Sequence, residues 1–370
     1  MKPVIAQPLP IADIDWTPLI ALIGSANRAV AHYDGLLYGI RNPDVLLSPL
    51  TTQEAVLSSR IEGTQATLGE VLKYEAGEEP AQESRRQDIQ EIINYRRALR
   101  RAQEGLKTKP LHLNLLLELH SILLDSVRGR DKGRGRFRTT QNWIGPKGTP
   151  IEQAHFVPPE PMSVPDLLDN WEKYYHRQEP DALVQLAIVH AQFEIIHPFL
   201  DGNGRIGRLL LPLFLYEKQL LSRPMFYLSA YFERRHDEYQ ARLRALGATP
   251  DGWSQWIAFF LKAALEQADE NTRKARQIIA LYDRLKERVL ELTHSQFAVP
   301  LLDRLFDQPI VQTSDLAGHR SMPSRQMVMV MLKKLKTAGM LKTVREGRGR
   351  RPEVLALAEL INLCEGKKVF

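Results

Sequence analysis

At 370 residues the chain exceeds one ordinary domain and is sized for two or three. Apolar residues make up 44% and charged residues 25%, a mix that builds a packed core and excludes a largely disordered chain. No apolar run reaches the ~18 residues of a membrane span, and the start MKPVIAQPLPIADIDW lacks the basic-then-apolar layout of a secretory signal, so a cytoplasmic protein without membrane contact is expected. The single cysteine, Cys364, rules out an internal disulfide and a multi-cysteine zinc site. The net charge of +6 is local: Lys333–Arg351 carries eight basic residues against Glu346 alone, which points to a polyanion contact near the C-terminus.

In chain order, apolar residues recur at three- and four-residue steps in PLIALIGSANRAVAHY, LHLNLLLELHSILLDSV, VPDLLDNWEKYY, ALVQLAIVHAQFEII and WSQWIAFFLKAALEQA, so residues 1 to about 290 are expected to be packed helices. The first break is GEEPAQESRR, read as an exposed connection. A second runs from Arg128 to Pro161, rich in Gly and Pro, yet it carries Phe137, Trp143, Ile144, Phe156 and Val157. Apolar residues in so long a loop predict an ordered flap over a nearby site. From Phe297 the texture changes to three short helices, the third with a Ser-Met-Pro start and a Gly339 stop, followed by two apolar segments joined by GRGRR. That is the order of a winged helix. The expected layout is an N-terminal helical region over 1–105, a helical core over 106–290, and a winged helix-turn-helix domain over 291–370.

The densest chemistry lies in HPFLDGNGRIGR, between two helical patterns. Pro198 cannot continue the preceding ladder, and Gly202 and Gly204 permit backbone angles closed to other residues, so a sharp turn leads into a new helix. Free N–H groups and partial positive charge at that helix start suit a phosphate. Arg205 and Arg208, three apart, share a face there and suit forked phosphate binding. Asp201 offers one hard oxygen ligand to magnesium, which takes its other ligands from phosphates and water. His197, at the edge of the turn, suits removal of a proton from an attacking hydroxyl.

The whole run resembles the core motif of the Fic family, whose members transfer AMP from ATP to Ser, Thr or Tyr hydroxyls of proteins. GRFR, NWIG and HFVPP in the flap resemble that family's target-docking β-hairpin. The resemblance implies a mainly α fold, with a Fic-type helical core and a short β-hairpin flap. It implies that His197 is the base, that Asp201 holds Mg2+, and that Gly202, Asn203 and Gly204 cradle the phosphates of ATP, with Arg205 and Arg208 balancing their charge and Ile206 and Gly207 completing the nucleotide-binding run. Tyr239, in RRHDEYQARL, is the expected adenine contact. Gly204 stands where related Doc kinases carry Lys, which favours AMP transfer over phosphoryl transfer. In the N-terminal part, Thr51 or Thr52 is read as capping a helix that runs to Glu62 and ends at Gly63, with Ser58 and Glu62 on one face. This segment resembles the family's inhibitory helix, and the resemblance implies that Glu62 pairs with Arg208.

Two alternatives remain open at this stage: a DNA-binding transcription regulator with a nucleotide-sensing core, and removal of AMP at the same site with Glu62 positioning water. For the first, Ser324, Arg325 and Gln326 would meet base edges of double-stranded DNA and Arg348, Arg350 and Arg351 its phosphates, with a homodimer reading a symmetric site. A di-iron reading of Glu194-x-x-His197 and Glu233-x-x-His236 is disfavoured by Pro198 and by the charged setting of the second copy. No GxxxxGK[ST] run supports a P-loop.

Overall fold

Apolar periodicity shapes most of the chain. The computed structural model describes residues 2–125, 131, 133–146, 148–249 and 251–370, which form helices α1 (Ile20–Gly39), α2 (Pro43–Leu46), α3 (Ser48–Ile61), α4 (Leu68–Glu75), α5 (Glu83–Leu106), α6 (Leu113–Leu123), α7 (Val164–His176), α8 (Ala182–Ile196), α9 (Asn203–Glu217), α10 (Ser229–Arg234), α11 (His236–Ala245) and α12 (Gly252–Thr293). The C-terminal part continues with α13 (Ala298–Asp307), β1 (Ile310–Gln312), α14 (Thr313–Ala317), α15 (Arg325–Thr337), β2 (Lys342–Arg345), β3 (Val354–Ala356) and α16 (Ala358–Glu365). No helix among the described residues is long and apolar enough to cross a membrane.

Two compact units result. One holds the chain up to Leu37, Leu57–Gly63 and Ile93–Asp269; the other holds Tyr38–Val56, Thr64–Ile92 and Glu270–Phe370. Three consecutive domains with cuts near 105 and 290 do not describe this division, because α3, α5 and α12 each give residues to both units.

In the first unit, α8 is the central helix: every residue but Ala182 and Glu194 is buried, as expected for a helix apolar on all sides. Asp181 caps it, accepting from the Val184 N–H at 2.8 Å. Trp171 and Trp256 donate their indole N–H groups to the Val189 and Ala187 carbonyls at 2.9 and 2.8 Å. α9 packs closely on α8 at Gly207, where a Cβ would come within 2.4 Å of Glu194 Oε1 and 3.3 Å of His190 and Phe193. Residues 128–130, 132 and 147 of the expected flap lie outside the described residues. In the rest of it the hairpin reduces to one antiparallel bridge, Ile144 with Phe156, bonded at 2.8 and 3.1 Å. Pro146, Pro150, Pro158 and Pro159 withhold the donors a longer ladder needs.

The second unit carries an antiparallel sheet of order β1-β3-β2, with Ile310 opposite Ala356 and Lys342 opposite Ala356 on the other side. β1 and α16 were not legible in the sequence; a three-residue strand is too short to show alternation. Ser324, not Ser321, caps α15. The basic stretch is less free than its composition implies: Lys336 pairs with Glu353 at 2.5 Å, Arg345 with Glu78, and Lys334 donates to the Leu292 carbonyl.

Two local expectations are corrected. α3 begins at Ser48, and Thr52 donates to the Ser48 carbonyl inside the helix, so neither Thr51 nor Thr52 is its cap. The second half of GEEPAQESRR is the first turn of α5, where thinning of apolar residues marks a solvent-facing turn and not the loss of helix.

Candidate functional site

The motif begins where α8 stops. His197 takes a left-handed conformation (φ 48°), and Pro198 then blocks further helix. A side chain in that region costs on the order of 1 kcal/mol and persists only when neighbours hold it. Arg138, from the flap, supplies the hold: buried, it donates to the carbonyls of His197 (2.9 Å), Pro159 (2.5 Å) and Ile196 (3.3 Å). Its own backbone N–H bonds the Pro198 carbonyl at 2.8 Å. A cation at the C-terminal end of α8 also meets the negative pole of that helix.

Further along the turn, Asn203 turns its amide inward, accepting from the Phe199 N–H and donating to the Phe199 carbonyl, both at 2.8 Å. His120 of α6 grips the other side. Its Nδ1 accepts from the Gly135 N–H at 3.0 Å, so Nε2 carries the proton and donates to the Asp201 carbonyl at 2.9 Å. The imidazole stacks on Phe199 at 3.8 Å, and burial holds its pKa down at about 4, so it clamps the turn as a neutral ring.

His197 Nδ1 lies 3.3 Å from the Glu194 carbonyl, an acceptor only, so Nδ1 carries the proton and Nε2 keeps its lone pair. Burial depresses its pKa to about 4. At neutral pH the ring is uncharged and able to accept a proton.

Gly202, at φ 84°, is the N-cap of α9. The Asp201 carboxylate is well exposed and bonded on one side by Arg205 Nη2 at 2.9 Å. At the helix start, where a phosphate was expected, stands the Glu62 carboxylate: a Cβ on Gly204 would come within 2.3 Å of Glu62 Oε1. Arg208 is buried and donates from Nη2 to Glu62 Oε1 (2.7 Å) and the Ser58 carbonyl (2.8 Å), and from Nε to Ser58 Oγ (3.0 Å). Burial alone would raise the Glu62 pKa, but Arg208 and Arg205 outweigh it and hold the carboxyl below its usual range. Burial likewise disfavours the charged Arg208, and the Glu62 carboxylate more than offsets this, raising its pKa.

A cleft of about 160 Å³ opens beside these groups, lined by Glu62, Glu194, His197, Gly204 and Arg208, by Tyr239, Gln240, Leu243 and Arg244 of α11, and by flap residues Ile144 and Phe156. Its setting suits a nucleotide, phosphates at the α9 start and base beneath the flap. The described residues hold no cluster of three or more potential metal ligands.

Comparison with known proteins settles the family. Residues 20–104 match the Fic/DOC family N-terminal model and residues 110–215 the Fic/DOC family model, together more than half of the chain. This chain belongs to the Fic family. Among curated Fic relatives, a probable protein adenylyltransferase of Aquifex aeolicus is 43% identical over 70 residues, 19% of this chain and 22% of that protein. Protein adenylyltransferase fic-1 of Caenorhabditis briggsae is 32% identical over 128 residues, 34% of this chain and 24% of that protein. The chain thus spans less than a quarter of the length of these two relatives. A solved Fic family protein of Desulfovibrio desulfuricans G20 aligns over 96% of this chain and 98% of its own with a TM-score of 0.58 at 20% identity. Fic-1 of Caenorhabditis elegans aligns over 72% and 75% with a TM-score of 0.53 at 21% identity. At such identities the likeness speaks for the fold.

Within this Fic core, His197, Asp201, Gly202, Gly204, Arg205, Arg208, Ser58 and Glu62 gather at one place. Of the other expected nucleotide contacts, Asn203 closes the turn with its side chain while its N–H lies in the first turn of α9, Ile206 lies in the core, and Gly207 faces α8. Tyr239 lines the cleft together with Gln240 and Leu243 of α11, its ring packed against Phe232 at 4.5 Å and its hydroxyl bonded to His190 Nε2 at 2.9 Å. Sequence reasoning missed His120 and Arg138, which hold the turn; a His and an Arg in apolar or Gly-rich settings carry no mark of their distant partners.

Proposed function

We propose that this chain is a protein adenylyltransferase that moves AMP from ATP onto a Ser, Thr or Tyr hydroxyl of a protein, and that Glu62 restrains it. One observation carries the reading: His197, with Nδ1 3.3 Å from the Glu194 carbonyl, stands beside a helix-start anion site whose occupant is a side-chain carboxylate. In the reaction the acceptor oxygen attacks the α-phosphorus of ATP, His197 Nε2 takes the hydroxyl proton, and the bond from the α-phosphorus to the bridging oxygen breaks to release pyrophosphate. The α9 N–H groups and Arg205 stabilise the charge that develops. Asp201 fits magnesium as a single exposed carboxylate beside the phosphate site, and Mg2+ held there would neutralise the leaving pyrophosphate. With Glu62 on Arg208 the anion site is filled, so ATP would seat with its α-phosphate out of line; release of Glu62 restores in-line geometry. ATP as donor and a single buried thiol suit a cytoplasmic enzyme. Incubation with ATP labelled at the α- or the γ-phosphate tests the reaction: label should reach protein only from the α-position and only with His197 intact, and transfer of γ-label would overturn it in favour of phosphorylation.

A second activity is supported by the C-terminal part. The order α13, β1, α14, α15, β2, β3 fits a winged helix-turn-helix over 291–370. Ser324, Arg325 and Gln326 are exposed at the start of α15, and Arg348, Arg350 and Arg351 are exposed on the hairpin. These suit base edges and phosphates of double-stranded DNA. Electrophoretic mobility of the full chain with duplex DNA at low and high salt tests it: retardation at low salt only is expected, and none at either salt would refute it.

A further inference from the structure

Glu194 is left over by the chemistry above. It is one of two α8 residues not fully buried, yet its Oε1 is sealed from solvent without a hydrogen-bond partner. It lines the same cleft as Glu62 and Arg208. A sealed, unpartnered carboxyl oxygen is costly if charged. We propose that Glu194 is a positioning residue that competes with Glu62 for the Arg208 guanidinium, so that ionisation of Glu194 loosens Glu62 and opens the anion site to ATP. The proposal rests on the reading of Glu62 as the restraining group.

The geometry sets up this competition. Arg208 has committed Nη2 to Glu62 and Nε to Ser58, so in this state Glu194 is the carboxyl without a bonded cation. Glu194 and Glu62 line one cleft with Arg208, and two carboxylates beside a single guanidinium repel each other, so that one of them keeps its proton. Burial pushes Glu194 up to about 7; Arg208 pulls it down and Glu62 pushes it up further. The titratable and charged groups around it come from every neighbouring element: Glu62 after α3, His190 on α8 and His197 just after it, Arg208 on α9, Tyr239 and Arg244 on α11, and the exposed flap residue His155. Burial holds His197 at about 4 and His190 at about 3, and raises Tyr239 above its usual value, so none of these three changes charge between pH 6 and 8. The sign follows from linkage. Glu194 binds its proton more tightly when Glu62 sits on Arg208 than when Glu62 has left, so low pH favours the restrained state and high pH the open one. Each unit by which the Glu194 pKa differs between the two states changes the restraint about tenfold.

The test uses the full chain with α-labelled ATP, scoring self-labelling of parent, Glu62→Gly, Glu194→Gln, His155→Gln and the double change Glu62→Gly with Glu194→Gln from pH 6 to 8. The ratio of parent to Glu62→Gly should rise roughly tenfold over this range. Glu194→Gln should stay restrained throughout, His155→Gln should keep the parent's rise, and the double variant should label as fast as Glu62→Gly. The same rise in Glu194→Gln, or its loss in His155→Gln, would overturn the proposal. Carbon NMR of the Glu194 carboxyl gives a readout independent of turnover: its titration should lie near 7 in the parent and move down in Glu62→Gly. An unmoved titration refutes the competition even if transfer proceeds. If Glu62→Gly labels no faster than the parent at any pH while the Glu194 titration still moves, the reading of Glu62 as restraint fails and the sharing of Arg208 stands.

Discussion

Arginines serve two regions of this molecule in opposite ways. Arg205 and Arg208 are buried at the start of α9, and Arg208 is bonded to Ser58 and Glu62 at 2.7–3.0 Å. Arg348, Arg350 and Arg351 stand exposed at the tip of the β2–β3 hairpin, which one bridge, Arg348 with Arg351, closes. In the first setting solvent screens little, so one side chain more or less changes the whole site. In the second, water and salt share the charge, and effects should be small and roughly additive. Burial, more than residue type, divides a switchable site from a general polyanion surface.

The largest effect should come from the first region. His197→Ala is expected to lower AMP transfer on the order of a thousandfold while leaving melting temperature and ATP binding near those of the parent. Calorimetry together with the labelling assay checks both halves, and equal labelling by parent and variant would remove His197 from the mechanism.

Next in size, Glu62→Gly should raise transfer on the order of a hundredfold, because the α-phosphate regains its in-line seat. Combining it with His197→Ala should return the rate to background. A slower Glu62→Gly would instead favour removal of AMP, with the Glu62 carboxylate orienting water.

In the Glu62→Gly background the pH profile should be level from 8 down to about 5, since His197 accepts protons only near 4. The sign is that of a depressed base: function is present while pH exceeds the folded pKa and is lost below it. A fall of about tenfold is expected one unit below that pKa, read from initial rates.

Gly204→Ala brings the comparison to a single methyl group. Its Cβ would meet Glu62 Oε1 at 2.3 Å and Arg208 Nη1 at 2.9 Å. A loss of about 1–3 kcal/mol in unfolding free energy is expected. In the Glu62→Gly background that loss should be roughly halved, since one of the two clashes is gone. Additive penalties in the four-variant cycle would mean that Glu62 does not occupy this site in solution.

The smallest effect belongs to the exposed region. Arg350→Ala should weaken duplex binding only a few-fold, evenly across sequences, and reduce the salt slope by about 1. A change in sequence preference would move Arg350 from phosphate to base contact.

Taken alone, the sequence determined whatever depends on near neighbours. The helical class follows from three- and four-residue apolar steps, and the sharp turn from Pro198 and Gly202, because periodicity and backbone freedom are local properties, whereas Gly204 lies inside α9 and serves close approach. Even there the boundaries drifted: α3 starts before Thr51, and polar residues at the start of α5 concealed a helix. Tertiary structure decided what each motif side chain does. Tyr239 lines the cleft with its ring held in an aromatic cluster and Gln240 next to it lines the cleft too, because the rotation of α11 depends on packing against α10 and α12 and not on its own sequence. Asn203 spends its amide on Phe199, a choice fixed once that turn is drawn tight. The groups that hold the site come from far along the chain: Arg138 reaches His197 across 59 positions, His120 reaches Asp201 across 81, and Ser58 meets Arg208 across 150. Glu194 is the sharpest case. Its sequence setting echoes a metal motif that Pro198 already disfavours, but the fold seals its Oε1 and places it in one cleft with Glu62 and Arg208, since only the fold brings like charges together.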